Sequence, residues 1–64
     1  MSIWLQDLDV TVNEMFAQNY QYHRVSGVTN EQFYEAQAHF RAKGNEIVYR
    51  GGLYRNSVTF DIER

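Results

Sequence analysis

The clearest pattern in the chain is a stripe of apolar residues at helical spacing in its middle third. The stripe consists of Phe33, Ala36 and Phe40. Thr29 precedes it and can form a capping box with Gln32, the third helical residue. Gly44 follows it and is typical of the left-handed residue that ends a helix. The pattern therefore predicts a helix from Asn30 to Lys43.

The first third of the chain favours a strand followed by a helix. Residues 3–9 alternate in side-chain type, which suits a short strand. Thr11 is followed by Glu14 at the third helical position, so the capping pattern occurs a second time. A helix is predicted from Val12 to about Tyr22.

Two alternatives to this interpretation stay open. One helical face collects the apolar residues Leu5, Leu8, Val12, Met15 and Phe16. Such a face would suit a single helix beginning at about Leu5. We favour the strand because the β-branched run Val10-Thr11-Val12 is unfavourable within a helix. Residues 20–25 also alternate, so a strand leading directly into the second helix is the other alternative.

The last third alternates apolar and polar residues in two arms around Gly51-Gly52. A glycine pair suits a two-residue hairpin turn, since such turns require positive φ angles. A hairpin closed at this pair places Tyr49 opposite Tyr54 and Ile47 opposite Asn56. The tail is therefore predicted to be a β-hairpin.

The two-residue period of a strand gives this hairpin one apolar and one polar face. The apolar face carries Ile47, Tyr49, Tyr54, Val58, Phe60 and Ile62. The polar face carries Val48, Arg50, Leu53, Arg55, Thr59, Asp61 and Glu63. Helices are expected to cover the apolar side. Residues 58–62 extend beyond the first arm, so they need a further strand from residues 3–9 or from a second copy.

These patterns predict a single α+β domain over residues 1–64. It has a short N-terminal strand, two capped helices and a C-terminal β-hairpin packed on the helices, with a ββαββ order as the alternative. So short a chain buries a smaller fraction of its surface than a large one does. One tryptophan, five tyrosines and four phenylalanines supply most of the core area. A second subunit would add burial, so we expect a homodimer.

Composition excludes several classes of protein. The net charge of −2 is far from the basic excess of a typical DNA-binding domain. Cysteine is absent, which excludes disulfides and thiolate zinc sites and fits a reducing compartment. No apolar run approaches the ~20 residues of a membrane span, and residues 1–7 do not resemble a signal peptide. We expect a cytoplasmic protein that does not bind membranes.

The chain offers little that would support catalysis or metal binding. Glu35 and His39 lie one helical turn apart, and His23 is the only other histidine. This spacing lacks the paired histidines or cysteines of a zinc site. No serine lies in a recognisable nucleophile motif, and a small chain has little room for a pocket that excludes water. We therefore expect no enzyme activity, cofactor or metal.

Aromatic residues that the small core cannot all bury are the main functional signal. The candidates for a partner-binding surface are Trp4, Tyr20, Tyr22, Tyr34, Tyr49 and Tyr54. Tyrosine and tryptophan are enriched at the energetic centres of protein interfaces. The prediction is a non-enzymatic interaction module, an inhibitor or adaptor that docks an aromatic face on a larger protein.

A basic set of residues in the second half supports an alternative function. It consists of Arg41, Lys43, Arg50 and Arg55. Basic and aromatic groups on a hairpin can contact phosphates and stack on bases. With two capped helices, the order would suit a nucleic-acid-binding regulator with a helix-turn-helix and a hairpin wing. Glu31 and Glu35 on the would-be recognition helix count against it.

One segment resembles a known family of inhibitors. Tyr20-Gln21-Tyr22-His23-Arg24, followed by a Thr-capped helix with Phe33, is similar to the strand-to-helix segment of small phage inhibitors of uracil-DNA glycosylase. The resemblance covers about a quarter of the chain, and the Gly51-Gly52 hairpin departs from the pattern. It implies a small viral protein inhibitor.

Overall fold

The computed structural model of the chain describes residues 2–64. These residues form two α-helices and three β-strands, with one turn of 3-10 helix before the last strand. In chain order they are α1 (Ile3–Ala17), β1 (Tyr22–Val28), α2 (Asn30–Ala42), β2 (Glu46–Gly51), the 3-10 turn (Leu53–Arg55) and β3 (Val58–Glu63). The predicted α+β class is confirmed. The alternative ββαββ order agrees with the structure from its second strand onward, because β1, α2, β2 and β3 follow one another in the chain.

The three strands form one antiparallel sheet in the order β1-β3-β2. The middle strand β3 places Phe60 opposite Val25 of β1 and opposite Tyr49 of β2. Because β1 and β2 both run antiparallel to β3, they run parallel to each other, with α2 as the connection between them. Each outer strand has a register shift, between Val25 and Val28 in β1 and between Tyr49 and Gly51 in β2.

Both helices pack on the same face of this sheet. The core consists of Leu5, Leu8, Val12, Val28, Phe33, Ala36, Phe40, Ile47, Val58, Phe60 and Ile62. At its centre the rings of Phe33 and Phe60 meet edge to face, with centroids 5.3 Å apart. The chain covers one face of the sheet with helices and leaves the other face open.

Helix α1 corrects the interpretation of the first third. The predicted strand over residues 3–9 and the predicted start at Val12 are both wrong, since one helix covers the segment from Ile3. Ser2 is its N-cap, and the Ser2 side chain accepts a hydrogen bond from the Leu5 amide at 3.1 Å. Thr11 lies within the helix and donates to the Asp7 carbonyl. The alternative of a single helix from about Leu5 was close to the observed one.

Helix α1 ends at a left-handed residue that the sequence interpretation missed. Asn19 has φ 72°, and the Tyr20 amide donates back to the Met15 carbonyl at 3.1 Å. This hydrogen bond and the one from Asn19 N to the Phe16 carbonyl are those of a Schellman motif. The helix therefore stops before the predicted end at Tyr22, and the alternative of a strand near residues 20–25 is confirmed by β1.

Helix α2 follows the prediction closely. Thr29 is the N-cap and forms a capping box with Gln32. Lys43 is the C-cap, and Gly44 follows with φ 89°. The Asn45 amide donates to the Phe40 carbonyl at 2.9 Å. Local hydrogen bonds thus cap both ends of this helix.

The connection between β2 and β3 is longer than predicted. Tyr49 pairs with Phe60 instead of Tyr54, and Ile47 pairs with Ile62 instead of Asn56. The two-residue turn at Gly51-Gly52 is therefore wrong. The chain instead makes a 3-10 turn that carries Tyr54 into solvent.

Most of the predicted apolar face is confirmed, since Ile47, Val58, Phe60 and Ile62 are all buried. The free edge over residues 58–62 is occupied by β1, not by residues 3–9 or a second copy.

Candidate functional site

An open groove lies where α1 ends and β1 begins. It has a volume of about 490 Å³ and a mostly apolar surface. Its walls are Met15, Asn19, Tyr20, Gln21, Tyr22, His23 and Arg24. The left-handed Asn19 reverses the chain here and so brings the last turn of the helix against the first residues of the strand. We call this feature the tyrosine groove.

Two of the predicted partner-binding residues meet in the tyrosine groove. Tyr20 is 53% exposed and Tyr22 is 52% exposed. Each residue therefore keeps about half of its surface available for contact. Tyrosine has few rotatable bonds, so it can offer this area at a low cost in conformational entropy. The structure thus assembles a compact aromatic surface from two residues of the predicted set.

The remaining tyrosines of the predicted set lie elsewhere. Tyr34 and Tyr49 both contact Phe33, with ring centroids 5.3 and 5.8 Å from it. The Tyr49 hydroxyl also accepts a hydrogen bond from the Leu53 amide. Tyr54 is 85% exposed on the 3-10 turn. These residues support the core edge and the β2–β3 connection, and they do not extend the tyrosine groove.

Trp4 is also separate from the groove. It packs partly against the core and lines a smaller depression of about 230 Å³ with Ser2, Glu31, Gln32 and Glu35. Ser2 donates a hydrogen bond to Glu35 at 2.6 Å. Two carboxylates make this depression acidic, in contrast to the tyrosine groove.

The open face of the sheet continues from the tyrosine groove. Residues on β3 alternate, so Thr59, Asp61 and Glu63 face away from the helices while Val58, Phe60 and Ile62 are buried. The pairing register puts Tyr22 opposite Glu63 and Arg24 opposite Asp61. Tyr22 therefore belongs to both the groove and the open face.

A buried carboxylate lies at the centre of the open face. Asp61 accepts from Arg24 Nε at 2.8 Å and Arg24 Nη2 at 3.1 Å, and from Arg50 Nε at 2.9 Å. The hydrogen bond from Arg24, with a further one from Arg50, holds the pKa of Asp61 below its ordinary value, although burial opposes this. The same hydrogen bond raises the pKa of Arg24. We call these three residues the arginine–aspartate cluster.

The sequence interpretation did not find this cluster. It placed Asp61 correctly on the polar face of the hairpin but gave no indication that Asp61 is buried there. It did not include Arg24 among the candidate residues. The available signal was the alternation of Tyr22 and Arg24, which places both side chains on one face of a strand.

The four predicted nucleic-acid-binding residues are dispersed. Lys43 binds Asp9 and Arg50 binds Asp61, while Arg55 donates to the Tyr54 hydroxyl. Arg41 is exposed on α2. A strand separates the two helices, so the predicted helix-turn-helix arrangement is wrong.

The metal-ligand candidates do not come together. His39 Nε2 lies 2.8 Å from Asp9 Oδ1 and so links α2 to α1. Within residues 2–64, no group of three His, Cys, Asp or Glu side chains is placed to hold a metal ion. In the same range, no helix has the length and apolar character needed to cross a membrane.

Comparison with known proteins gives no match to a family model, a curated protein or a solved structure. The resemblance to phage inhibitors of uracil-DNA glycosylase therefore rests on the sequence segment alone and stays a prediction. The basis for a functional proposal is the geometry of the tyrosine groove and of the open sheet face.

Proposed function

We propose that the chain is a non-enzymatic protein-interaction module, an inhibitor or adaptor that docks the tyrosine groove on a larger protein. The observation that carries the proposal is the pair of half-exposed rings, Tyr20 and Tyr22, in a mostly apolar groove. Its volume of about 490 Å³ is in the range of pockets that bind small ligands.

The charges around the groove indicate the chemistry of the partner. No Asp or Glu is among the lining residues, although the chain as a whole has eight acidic and six basic side chains. Arg24 and His23 are among the lining residues instead. We propose that the occupant is a protein segment with an aliphatic or aromatic side chain beside a carboxylate.

The proposal includes two further expectations from the sequence. The absence of cysteine favours the cytoplasm as the place of action. Self-association as a homodimer also stays a prediction. The register shifts in β1 and β2 would restrict pairing through the strand edges, which leaves the outer surfaces of the helices as the better place for a second copy.

A peptide selection tests the proposed function. The protein is immobilised and screened against random twelve-residue peptides displayed on phage, and selected peptides are measured by fluorescence polarisation. We expect selected peptides to combine an apolar residue with Asp or Glu. Tyr22→Ala should weaken their binding by about thirtyfold, because truncation of an interface hot spot costs about 2 kcal/mol or more.

Tyr54→Ala is the matched control, because it removes the most exposed tyrosine outside the groove. It should leave peptide binding unchanged. If no peptide family is enriched, or if Tyr54→Ala weakens binding as much as Tyr22→Ala, the groove is not the docking site.

A further inference from the structure

We propose that the arginine–aspartate cluster is a binding site for a carboxylate of an acidic protein segment, on the open face of the sheet. The inference rests on the proposed function, since the carboxylate would belong to the same partner that fills the tyrosine groove. Tyr22 and Arg24 are two residues apart on the same face of β1. The aromatic and cationic surfaces are therefore continuous.

Asp61 holds the two arginines in fixed positions. Its side chain is only 2% exposed, and both of its oxygens accept hydrogen bonds from guanidinium groups. The Nε atoms of Arg24 and Arg50 both point inward to this carboxylate. Each arginine is thus anchored by one edge, which leaves the outer edge of each guanidinium directed away from Asp61.

The outer edges of the two guanidiniums have donors to spare. An arginine has five N–H groups. Within residues 2–64, Arg24 donates from Nε and Nη2, and Arg50 donates only from Nε. The two side chains are each about half exposed. Donors that are both accessible and pre-oriented bind an anion at a reduced cost in conformational entropy.

The charge balance of the cluster also favours an anion. One carboxylate between two guanidiniums leaves a net charge of one positive unit at the centre of the face. A single arginine would be enough to neutralise the buried Asp61. The positive charge of the second arginine is therefore not needed to compensate for the burial of Asp61. A carboxylate matches the planar donor geometry of arginine, which makes it a suitable ligand.

The surroundings favour a compact carboxylate over a nucleic-acid backbone. The next row of the open face pairs Tyr22 with Glu63 and Glu63 with Glu46. This row lies two residues along the strands, about 7 Å from the cluster. A nucleic-acid backbone carries its phosphates in a continuous row and would meet these two carboxylates, whereas an acidic peptide can place one flexible side chain on the arginines and turn its other side chains to solvent.

The test uses octaglutamate as the probe and an oligothymidylate of eight nucleotides as the comparison, both at low ionic strength. Binding is followed by NMR through backbone amides and through the arginine Nε–H signals. We expect octaglutamate to shift the Nε–H signals of Arg24 and Arg50. Arg50→Gln should weaken octaglutamate binding by about fivefold, in the range of an exposed ion pair.

Arg41→Gln provides the control, because it removes the same charge from an exposed position on α2. It should change octaglutamate binding by less than about twofold. Arg50 makes a single hydrogen bond to Asp61, so Arg50→Gln is expected to stay folded, as amide dispersion will show. If it does not, Arg50→Lys replaces it, since lysine keeps the charge but loses the planar donor pair.

Three results would overturn the inference. The first is that octaglutamate causes no shift of the Nε–H signals of Arg24 and Arg50. The second is that Arg41→Gln weakens octaglutamate binding as much as Arg50→Gln does. The third is that the oligothymidylate binds at the same arginines more tightly than octaglutamate does. Octaglutamate has no apolar side chain, so failure here leaves the peptide selection on the tyrosine groove unaffected. Conversely, a failed selection with intact octaglutamate binding would reject the groove and keep the anion site.

Discussion

Gly52 occupies the most restricted position among the four glycines. Its φ is 98°, and a Cβ atom added to it would lie 1.9 Å from the Ser57 carbonyl oxygen and 2.7 Å from the Ser57 carbonyl carbon. The two residues are already joined by a hydrogen bond from the Ser57 amide to the Gly52 carbonyl at 3.1 Å. Backbone atoms can move away from a clash less easily than the end of a flexible side chain can. A residue with a Cβ at position 52 would therefore force the backbone of the β2–β3 connection to shift.

Gly52→Ala is therefore expected to lower the free energy of unfolding by more than about 2 kcal/mol, because it combines a backbone clash with left-handed strain. Gly44→Ala separates the two effects. Gly44 has φ 89° with no atom within 4 Å of an added Cβ, so only the strain of about 1 kcal/mol applies. Urea unfolding of both variants gives the comparison, and equal losses would show that the contact with Ser57 is not restrictive.

At the scale of an element, the two capping patterns have different outcomes. Thr29 begins α2, whereas Thr11 lies in the middle of α1. The difference comes from burial, because Leu5, Leu8 and Val12 put the helical face of the first segment into the core. Differences in helix propensity among ordinary residues amount to tenths of a kcal/mol. Burial of an apolar side chain outweighs them, so the β-branched residues did not stop the helix.

The two threonines should accordingly respond differently to alanine. Thr29→Ala removes the capping box and should lower the free energy of unfolding by about 1 kcal/mol. Thr11→Ala should change it by no more than about 0.5 kcal/mol, because alanine is a better helix former than threonine. Thermal unfolding followed by circular dichroism measures both variants. A loss at Thr11 as large as that at Thr29 would contradict the assignment of Ser2 as the cap of α1.

At the scale of the whole molecule, the sequence predicted features formed by residues close together in the chain and missed those formed by residues far apart. Helix α2 and the buried face of β3 followed from spacing and caps within a few residues. The sheet order did not, because β1 reaches β3 across α2 and β2. For the same reason no local pattern could pair Arg24 with Asp61, which lies 37 residues away. The sequence indicated Tyr20 and Tyr22 as separate candidate residues but not the groove that they line. The groove was missed because Asn19 was not recognised as the residue that ends α1.

Within residues 2–64, two long-range ion-pair networks connect distant elements and give the protein a common response to acid. Hydrogen bonds from Lys43 and then His39 lower the pKa of Asp9, which joins α1 to α2. Hydrogen bonds from Arg24 and Arg50 lower the pKa of Asp61, which joins the three strands. In both cases the ordinary value is 3.8. The folded state therefore binds protons at these carboxylates less readily than the unfolded state does.

The contribution of these carboxylates to stability should be fully present above about pH 5 and should decrease as pH falls through the lowered pKa values. Urea unfolding between pH 7 and pH 2 measures this decrease. Asp61→Asn should be less stable than the parent at pH 7 and should lose less stability on acidification, because one of the two networks is already absent. Asp7→Asn removes an exposed carboxylate that has no ion pair within residues 2–64, and it should keep most of the parent's acid-dependent loss. Parallel pH profiles for Asp61→Asn and the parent would contradict a role of the arginine–aspartate cluster in holding the sheet.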